Sequence, residues 1–248
     1  MTMKIAVAGG TGTVGRKVVA AVESAGHEAV VLSPSRGVDL VTGEGLDAAL
    51  AGCAGVIDVA NTAVWDRESA ERFFGTVATN LVEGCARHGV GHLVVLGIVG
   101  TDEVDLGYYY GKRLQERIVS EGRVPWTILR ATQFFEFAEQ NTARVEGDVV
   151  ELMPMLSQPV ATEDVAERLV ELVTGEPQGR ARPLAGQEKL TLAEMARLLF
   201  ERTGDRREIR VRELGEVGAQ LASGALTPSG EHDRGKRTFA DYLAALEV

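Results

Sequence analysis

The 248-residue chain is 45% hydrophobic with a mean hydropathy of zero, enough for one sizeable core or a domain with a small cap, and too little for two large domains. Its 26 basic and 36 acidic residues leave a net charge of −10, a surface that repels nucleic acid and anionic membrane, so neither is expected as a partner. No stretch approaches 18 consecutive apolar residues, and only Ile5–Ala8 is apolar before the first glycines; this excludes a spanning helix and argues against a signal peptide.

In chain order, the short apolar strand Lys4–Ala8 runs into Gly9-Gly10-Thr11-Gly12-Thr13-Val14-Gly15 and then into the helix-like 13–25. The glycines read both as Gly-x-x-Gly-x-x-Gly and as Gly-x-Gly-x-x-Gly. A strand, a glycine turn and a helix start in this order are what a dinucleotide diphosphate needs: a tight turn, backbone within reach of the phosphates, and unpaired N–H groups at a positive helix end. Further strands are predicted at 28–32, 55–59, 92–96 and 125–130, with helices at 44–51, 66–88 and 107–121 between them. This alternation predicts an α/β fold with a doubly wound parallel sheet.

After residue 132 the rhythm changes. Helices are expected at Phe134–Asn141, Thr162–Val173, Leu192–Arg202 and Thr238–Leu246, with short strands at Gln158–Ala161, Arg182–Ala185 and Glu208–Val211. The expectation is a single domain over 1–248: a nucleotide-binding core at 1–132, then a smaller C-terminal substrate-side lobe at 133–248 with interleaved segments. Leu221–Lys236, rich in small and mixed-charge residues, reads as the mobile loop.

An NAD site places a carboxylate at the end of its second strand, about 20 residues past the glycines. Here that strand ends in Ser33-Pro34-Ser35-Arg36, hydroxyls and a guanidinium suited to a 2′-phosphate, so NADP(H) is favoured over NAD(H). Asp39 is either an adenine-edge contact or an ordinary loop aspartate. Tyr108 and Lys112 stand four apart on the fourth helix, on one face with Cβ atoms about 5–6 Å apart. A phenol beside an ammonium suits acid–base work at a carbonyl, although taking a phenol from pKa 10 to 7 needs roughly 4 kcal/mol of differential stabilisation. The competing reading is an aromatic cluster packing a helix start, with a surface lysine.

The chain resembles the short-chain dehydrogenase/reductase superfamily, and within it the atypical, NmrA-like NAD(P)-binding group. The matching segments are 9–15, Thr79–Ala86, the Tyr108/Lys112 pair, Val124–Phe134 and Gln158–Ala166. The resemblance implies a Rossmann-type fold, Tyr108 as proton donor and Lys112 gripping the nicotinamide ribose. It also implies that Ala60, Asn61 and Thr62 line the cofactor and that Ala131–Phe134 (Gln133 among them) passes beneath the nicotinamide into the substrate pocket; in the oxidoreductase reading, hydride leaves near Gly97 and Ile98. The cofactor set is thus Gly9, Thr11, Gly12, Thr13, Val14, Gly15, Ser33, Arg36, Asp39, Ala60, Asn61, Gly97, Lys112, Ala131 and Gln133. Ile98, Phe134 and Phe135 are substrate candidates.

One departure stands out. Where family catalysts carry a serine before the tyrosine helix, this chain has Gly97; either Thr101 or a substrate group substitutes, or the chemistry tolerates a weaker site, or the protein is not a standard carbonyl reductase. Only Asn80 matches the helix asparagine sometimes found in the family. Losing a preorganised oxyanion donor costs about 2.7–4 kcal/mol of barrier.

No metal is expected, since glycines separate His88 from His92. Cys53 and Cys85, in no metal or redox spacing, read as reduced, buried thiols of a cytoplasmic protein. Phe134-Phe135, Phe137, Met153 and Met155 are pocket wall or core, and 202–207 a solvated turn. Charges on the 107–121 helix (Lys112, Arg113, Glu116, Arg117, Glu121) favour a monomer. The expected function is an NADPH-dependent oxidoreductase acting on a small to medium apolar carbonyl or quinone-like substrate. The alternatives are an NADP(H)-binding redox sensor without turnover and a non-redox isomerase, dehydratase or epimerase.

Overall fold

The computed structural model describes residues 1–143 and 147–247. The first half runs β1 (Lys4–Ala8), α1 (Thr13–Ser24), β2 (Glu28–Leu32), α2 (Leu46–Leu50), β3 (Gly55–Asp58), α3 (Arg67–His88), β4 (His92–Ile98), α4 (Gly107–Glu121) and β5 (Trp126–Ala131). The second runs α5 (Phe137–Thr142), β6 (Val149–Leu152), β7 (Leu156–Ser157), α6 (Thr162–Thr174), β8 (Gly179–Arg180), β9 (Leu184–Ala185) and β10 (Leu190–Thr191). It ends with α7 (Leu192–Thr203), β11 (Glu208–Val211), α8 (Gly215–Ala222), β12 (Asp233–Arg234) and α9 (Phe239–Ala245).

Two compact units emerge: Met1–Gly97, Leu106–Arg130 and Val165–Arg182 form one, and Ile98–Asp105, Ala131–Asp164 and Pro183–Val248 the other. Segment 98–105 thus groups with the second unit and 165–182 with the first.

The first unit is a parallel sheet in the order β2-β1-β3-β4-β5, with β8 parallel on β5. Ala8 stands opposite Leu32 on one side and Asp58 on the other, and Asp58 opposite Val95. The chain steps one way from β1 to β2 and the other way from β2 to β3. Right-handed crossovers of opposite direction put their helices on opposite faces, which leaves a crevice outside the carboxyl ends of β1 and β3. Ile5, Ala6, Val7 and Ala8 are fully buried, as a doubly covered strand must be. Leu46, Leu50, Val77, Leu81, Leu93 and Ile128 fill the core beside them.

Helix α3 starts where the Asp66 carboxylate accepts from Ser69 N–H at 2.8 Å and stops at Gly89, a side-chain cap and a left-handed stop. Helix α4 packs closely on it, for a Cβ on Gly111 would lie 2.6 Å from the Ala70 carbonyl oxygen.

In the second unit, β6 pairs with β11, β7 with β10 and β9 with β12. Its core holds Phe135, Ala138, Ala161, Met195, Leu199, Phe239 and Leu243. Capping boxes at Thr191/Glu194 and Thr238/Asp241 start α7 and α9. The strand expected at Gln158–Ala161 shrinks to a Phe134–Val160 bridge, since Pro159 has no N–H to give a ladder. Helix α8 and strands β6 and β8 were not anticipated; α8 carries two glycines and so a weak helix signal. Leu221–Lys236 is not a loose loop: Leu221 and Leu226 are fully buried, and β12 pairs with β9.

Candidate nucleotide site

The glycine turn is shaped by what surrounds it. Gly9 holds φ at +78°, and a Cβ there would lie 2.8 Å from Cα of Ala60; a Cβ on Gly15 would collide with the Gly9 carbonyl. Gly12 is the N-cap of α1 without a side-chain hydrogen bond, and the first turn carries no acidic residue. The N–H groups of Thr13, Val14 and Gly15 therefore open the helix with no intrahelical acceptor. Arg16 donates to the Thr11 carbonyl at 2.7 Å. Backbone donors, a positive helix end and glycines that let a ligand approach fit a diphosphate.

At the end of β2, Ser33 is buried with its hydroxyl 3.1 Å from that of Ser35. Arg36 sits exposed in the 3-10 turn Pro34–Arg36. Asp39 spends a carboxylate oxygen on Val41 N–H (2.7 Å) and Thr42 N–H (3.1 Å), the role of an ordinary turn aspartate.

Next to the turn lies a buried polar network that motif reading missed. Asp58, 1% exposed at the end of β3, accepts from Ala60 N–H at 2.9 Å and from Gln115 Nε2 at 2.7 Å. Gln115 Oε1 accepts in turn from Lys112 Nζ, which also donates to the Leu96 carbonyl at 2.8 Å and lies 4.8 Å over the Phe74 ring. Burial drives the Lys112 ammonium down to about 8, against the pull of Asp58 and Glu116, while burial pushes the Asp58 carboxyl up. In this conformation Lys112 gives two of its three donors to acceptors inside the protein. Tyr108 donates to Asn61 Oδ1 at 2.6 Å, its ring edge-on to Phe74. Burial raises its pKa above the ordinary phenol range, so Tyr108 keeps its proton. Lys112 turns inward to Leu96 and Gln115 rather than to the Tyr108 hydroxyl.

The position expected to hold the serine is filled. A Cβ on Gly97 would lie 2.5 Å from Glu116 Oε1 and 3.0 Å from Arg130 Cγ. Glu116, 2% exposed, is gripped by Arg130 Nη2 and Arg180 Nη1, each at 2.7 Å. With Lys112 and Glu116 both buried, the charged face of α4 is narrower than the sequence suggests.

A family model described as NAD(P)H-binding matches residues 9–176. The chain belongs to this NAD(P)H-binding family. No curated protein sequence matches it. Among solved structures, NADPH-dependent quinone oxidoreductase QOR2 from Escherichia coli, complexed with NADPH, is 17% identical with a TM-score of 0.73, over 97% of this chain and 98% of that one. Triphenylmethane reductase from Citrobacter sp. is 17% identical with a TM-score of 0.69, over 92% of each chain. UDP-N-acetylglucosamine 4-epimerase from Bacillus cereus is 17% identical with a TM-score of 0.70, over 98% and 97%. At such identities the likeness is one of fold, and it is the Rossmann-type fold that the sequence resemblance implied.

The other candidates of this NAD(P)H-binding chain fall in several places. Asn80 clasps the Leu40 and Val41 carbonyls at 2.9 and 3.0 Å, a structural tie. In the second unit Ala131 pairs with Leu184, Gln133 accepts from Val160 N–H at 2.9 Å, and Phe134 bridges Val160. Phe135 is 2% exposed, its ring 5.4 Å from Phe239 and 5.6 Å from Tyr242, which makes it core. Ile98 is half-buried at the end of β4, and Thr101 is fully buried.

His88 engages Asp47 and His92 engages Thr127; among the described residues no group of side chains is set to hold a metal. Cys53 and Cys85 are free and buried. The 202–207 turn is not simply solvated, since Arg202 donates to the Leu243 and Leu246 carbonyls and Arg207 to that of Thr142. No helix among the described residues is long and apolar enough to cross a membrane. Asp58 was the findable signal in the network: a carboxylate inside the apolar run Gly55-Val56-Ile57-Asp58-Val59 must have a buried partner.

Proposed function

We propose that this chain is an NADPH-dependent oxidoreductase that reduces a small to medium apolar carbonyl or quinone-like acceptor. The observation that carries the reading is the uncapped, acid-free start of α1 behind Gly9, Gly12 and Gly15, at the crevice between β1 and β3. The serines and exposed guanidinium at Ser33–Arg36, with no carboxylate among them, support the 2′-phosphorylated nucleotide. Of the similar solved structures, one is named a quinone oxidoreductase and another a reductase of triphenylmethane dyes, which supports an apolar acceptor.

When bound, the nucleotide supplies a hydride, two electrons and one hydrogen nucleus, to the acceptor. The chain's own part is to seat the diphosphate on the N–H groups of residues 13–15, to hold the 2′-phosphate with Arg36, and to return one proton to the reduced oxygen. Tyr108, kept protonated by burial and aligned by Asn61, is the donor for that proton. Lys112 adds a positive charge beneath the site. The test follows NADPH oxidation across a panel of ketones and quinones, with Tyr108→Phe alongside. Turnover of at least one acceptor, reduced tenfold or more in the variant, is expected. No consumption with any acceptor overturns the reading.

One observation favours a second reading. Glu116 fills the space beside Gly97 and Lys112 gives two of its three donors to internal acceptors, which suits a nucleotide sensor that performs no chemistry. A sensor binds NADP⁺ and NADPH with clearly different affinity and turns nothing over; equal affinities exclude it.

A further inference from the structure

Asp58 and Lys112 are opposite charges, 1% and 5% exposed, yet they do not meet. Gln115, fully buried, stands between them, giving its Nε2 to the carboxylate and its Oε1 to the ammonium. The amide satisfies both demands at once at neutral pH, because a carboxylate accepts and an ammonium donates, whereas an ionised carboxylate in its place could only accept. A pair retained solely to cancel charge would close directly.

The intervening amide ties two places together. On one side Asp58 fixes the Ala60 N–H, in the segment that Gly9 lies against; on the other Lys112 is held on the Leu96 carbonyl, beside Gly97.

We propose that Gln115 is a positioning residue of the nucleotide site, which through Asp58 sets the Ala60–Asn61 segment against the glycine turn and through Lys112 sets a cation beneath the bound nucleotide. The proposal rests on the nucleotide-binding reading above. The charges that bear on Lys112 are Asp58 on β3 and Glu116 on α4, the latter already held by Arg130 and Arg180, with the Cys85 thiol on α3 beside Asp58. The Phe74 ring on α3 lies 4.8 Å from the ammonium.

Burial holds the ammonium near pH 8, so the wild-type protein loses affinity for the anionic nucleotide as pH rises through that value. The experiment titrates NADPH into wild type, Gln115→Leu and Gln115→Glu from pH 5.5 to 9.5. In parallel, the Lys112 titration is followed in the free protein by lysine 13Cε shifts.

Gln115→Leu is expected to weaken binding at least tenfold at pH 7 and to move the Lys112 inflection downward, because the ammonium loses an acceptor. Gln115→Glu reproduces both hydrogen bonds only while protonated, so its affinity recovers towards wild type as pH falls. That arm keeps the proposal testable even if the leucine variant does not fold. Affinity within twofold of wild type and an unmoved Lys112 inflection in folded Gln115→Leu overturn the proposal; so does a Gln115→Glu profile that parallels wild type throughout. If wild type binds no pyridine nucleotide, the underlying reading fails and this inference with it.

Discussion

Gly97 and Glu116 share one space: a side chain on the first would displace the carboxylate of the second, because a Cβ at Gly97 would lie 2.5 Å from Glu116 Oε1. The neighbour cannot yield cheaply. Glu116 is held by two guanidinium groups, at 2.7 Å each, in a site where it is 2% exposed. A glycine that looks like a lost catalytic serine is therefore a packing requirement of an internal ion cluster.

Gly97→Ser should accordingly fail to restore a catalytic hydroxyl. Overpacking costs about 1–3 kcal/mol, so urea denaturation should show a lowered midpoint with an unchanged slope, and NADPH consumption should not rise. A variant as stable as wild type and more active would refute this account of the cluster.

The sheet and the glycine turn were legible because both are local. Lys4–Ala8, the glycines and α1 are contiguous, and hydrophobic period and turn chemistry act within a few residues. The Asp58–Gln115–Lys112 network joins residues 57 positions apart, and nothing in the spacing of Tyr108 and Lys112 says that the lysine turns inward while the tyrosine turns to Asn61. The second half was harder for a similar reason. Its strands are two to four residues long, too short for an alternation to register, and Leu221–Lys236 is rich in loop-forming residues although Leu226 anchors it.

Arg36→Ala tests the nucleotide preference. A charge-assisted hydrogen bond is worth about 1.5–3 kcal/mol, so the ratio of NADPH to NADH affinity should fall roughly ten- to a hundredfold, mainly through weaker NADPH binding. Calorimetric titration with both nucleotides measures it, and an unchanged ratio removes Arg36 from the 2′-phosphate.

The glycine turn makes a contrast between two alanine variants. A Cβ on Gly15 would collide with the Gly9 carbonyl, whereas one on Gly12 would lie 3.3 Å from the same oxygen. Gly15→Ala should weaken NADPH binding more than tenfold and lower the melting temperature, and Gly12→Ala should do markedly less to stability. Equal stability losses in the two variants would mean that the close approach at Gly15 is not what shapes the turn.

Cys85 should be inert in the folded protein. Burial, with Asp58 nearby, pushes its thiol up to about 12, which leaves about one thiolate in ten thousand at pH 8, and the thiolate is the reactive form. Cys53 is raised as well, also by burial. Alkylation followed by mass spectrometry should find neither modified until denaturant is added. Prompt labelling of Cys85 in native protein would contradict the packing of α3 described above.

His92 gives the fold a pH dependence with a definite sign. It is 4% exposed at the start of β4, its Nε2 is 2.8 Å from Thr127 Oγ1, and burial holds its pKa below the ordinary 6.5. In the unfolded chain the same imidazole takes up a proton first, so the unfolded state binds more protons as pH falls below about 6.5 and stability declines with it. Above that pH both states are neutral and the contribution is flat. Denaturant titrations of wild type between pH 7.5 and 5 should show this fall, and His92→Gln, less stable at neutral pH, should show a shallower one. An identical slope in the two proteins would assign the pH dependence to other groups.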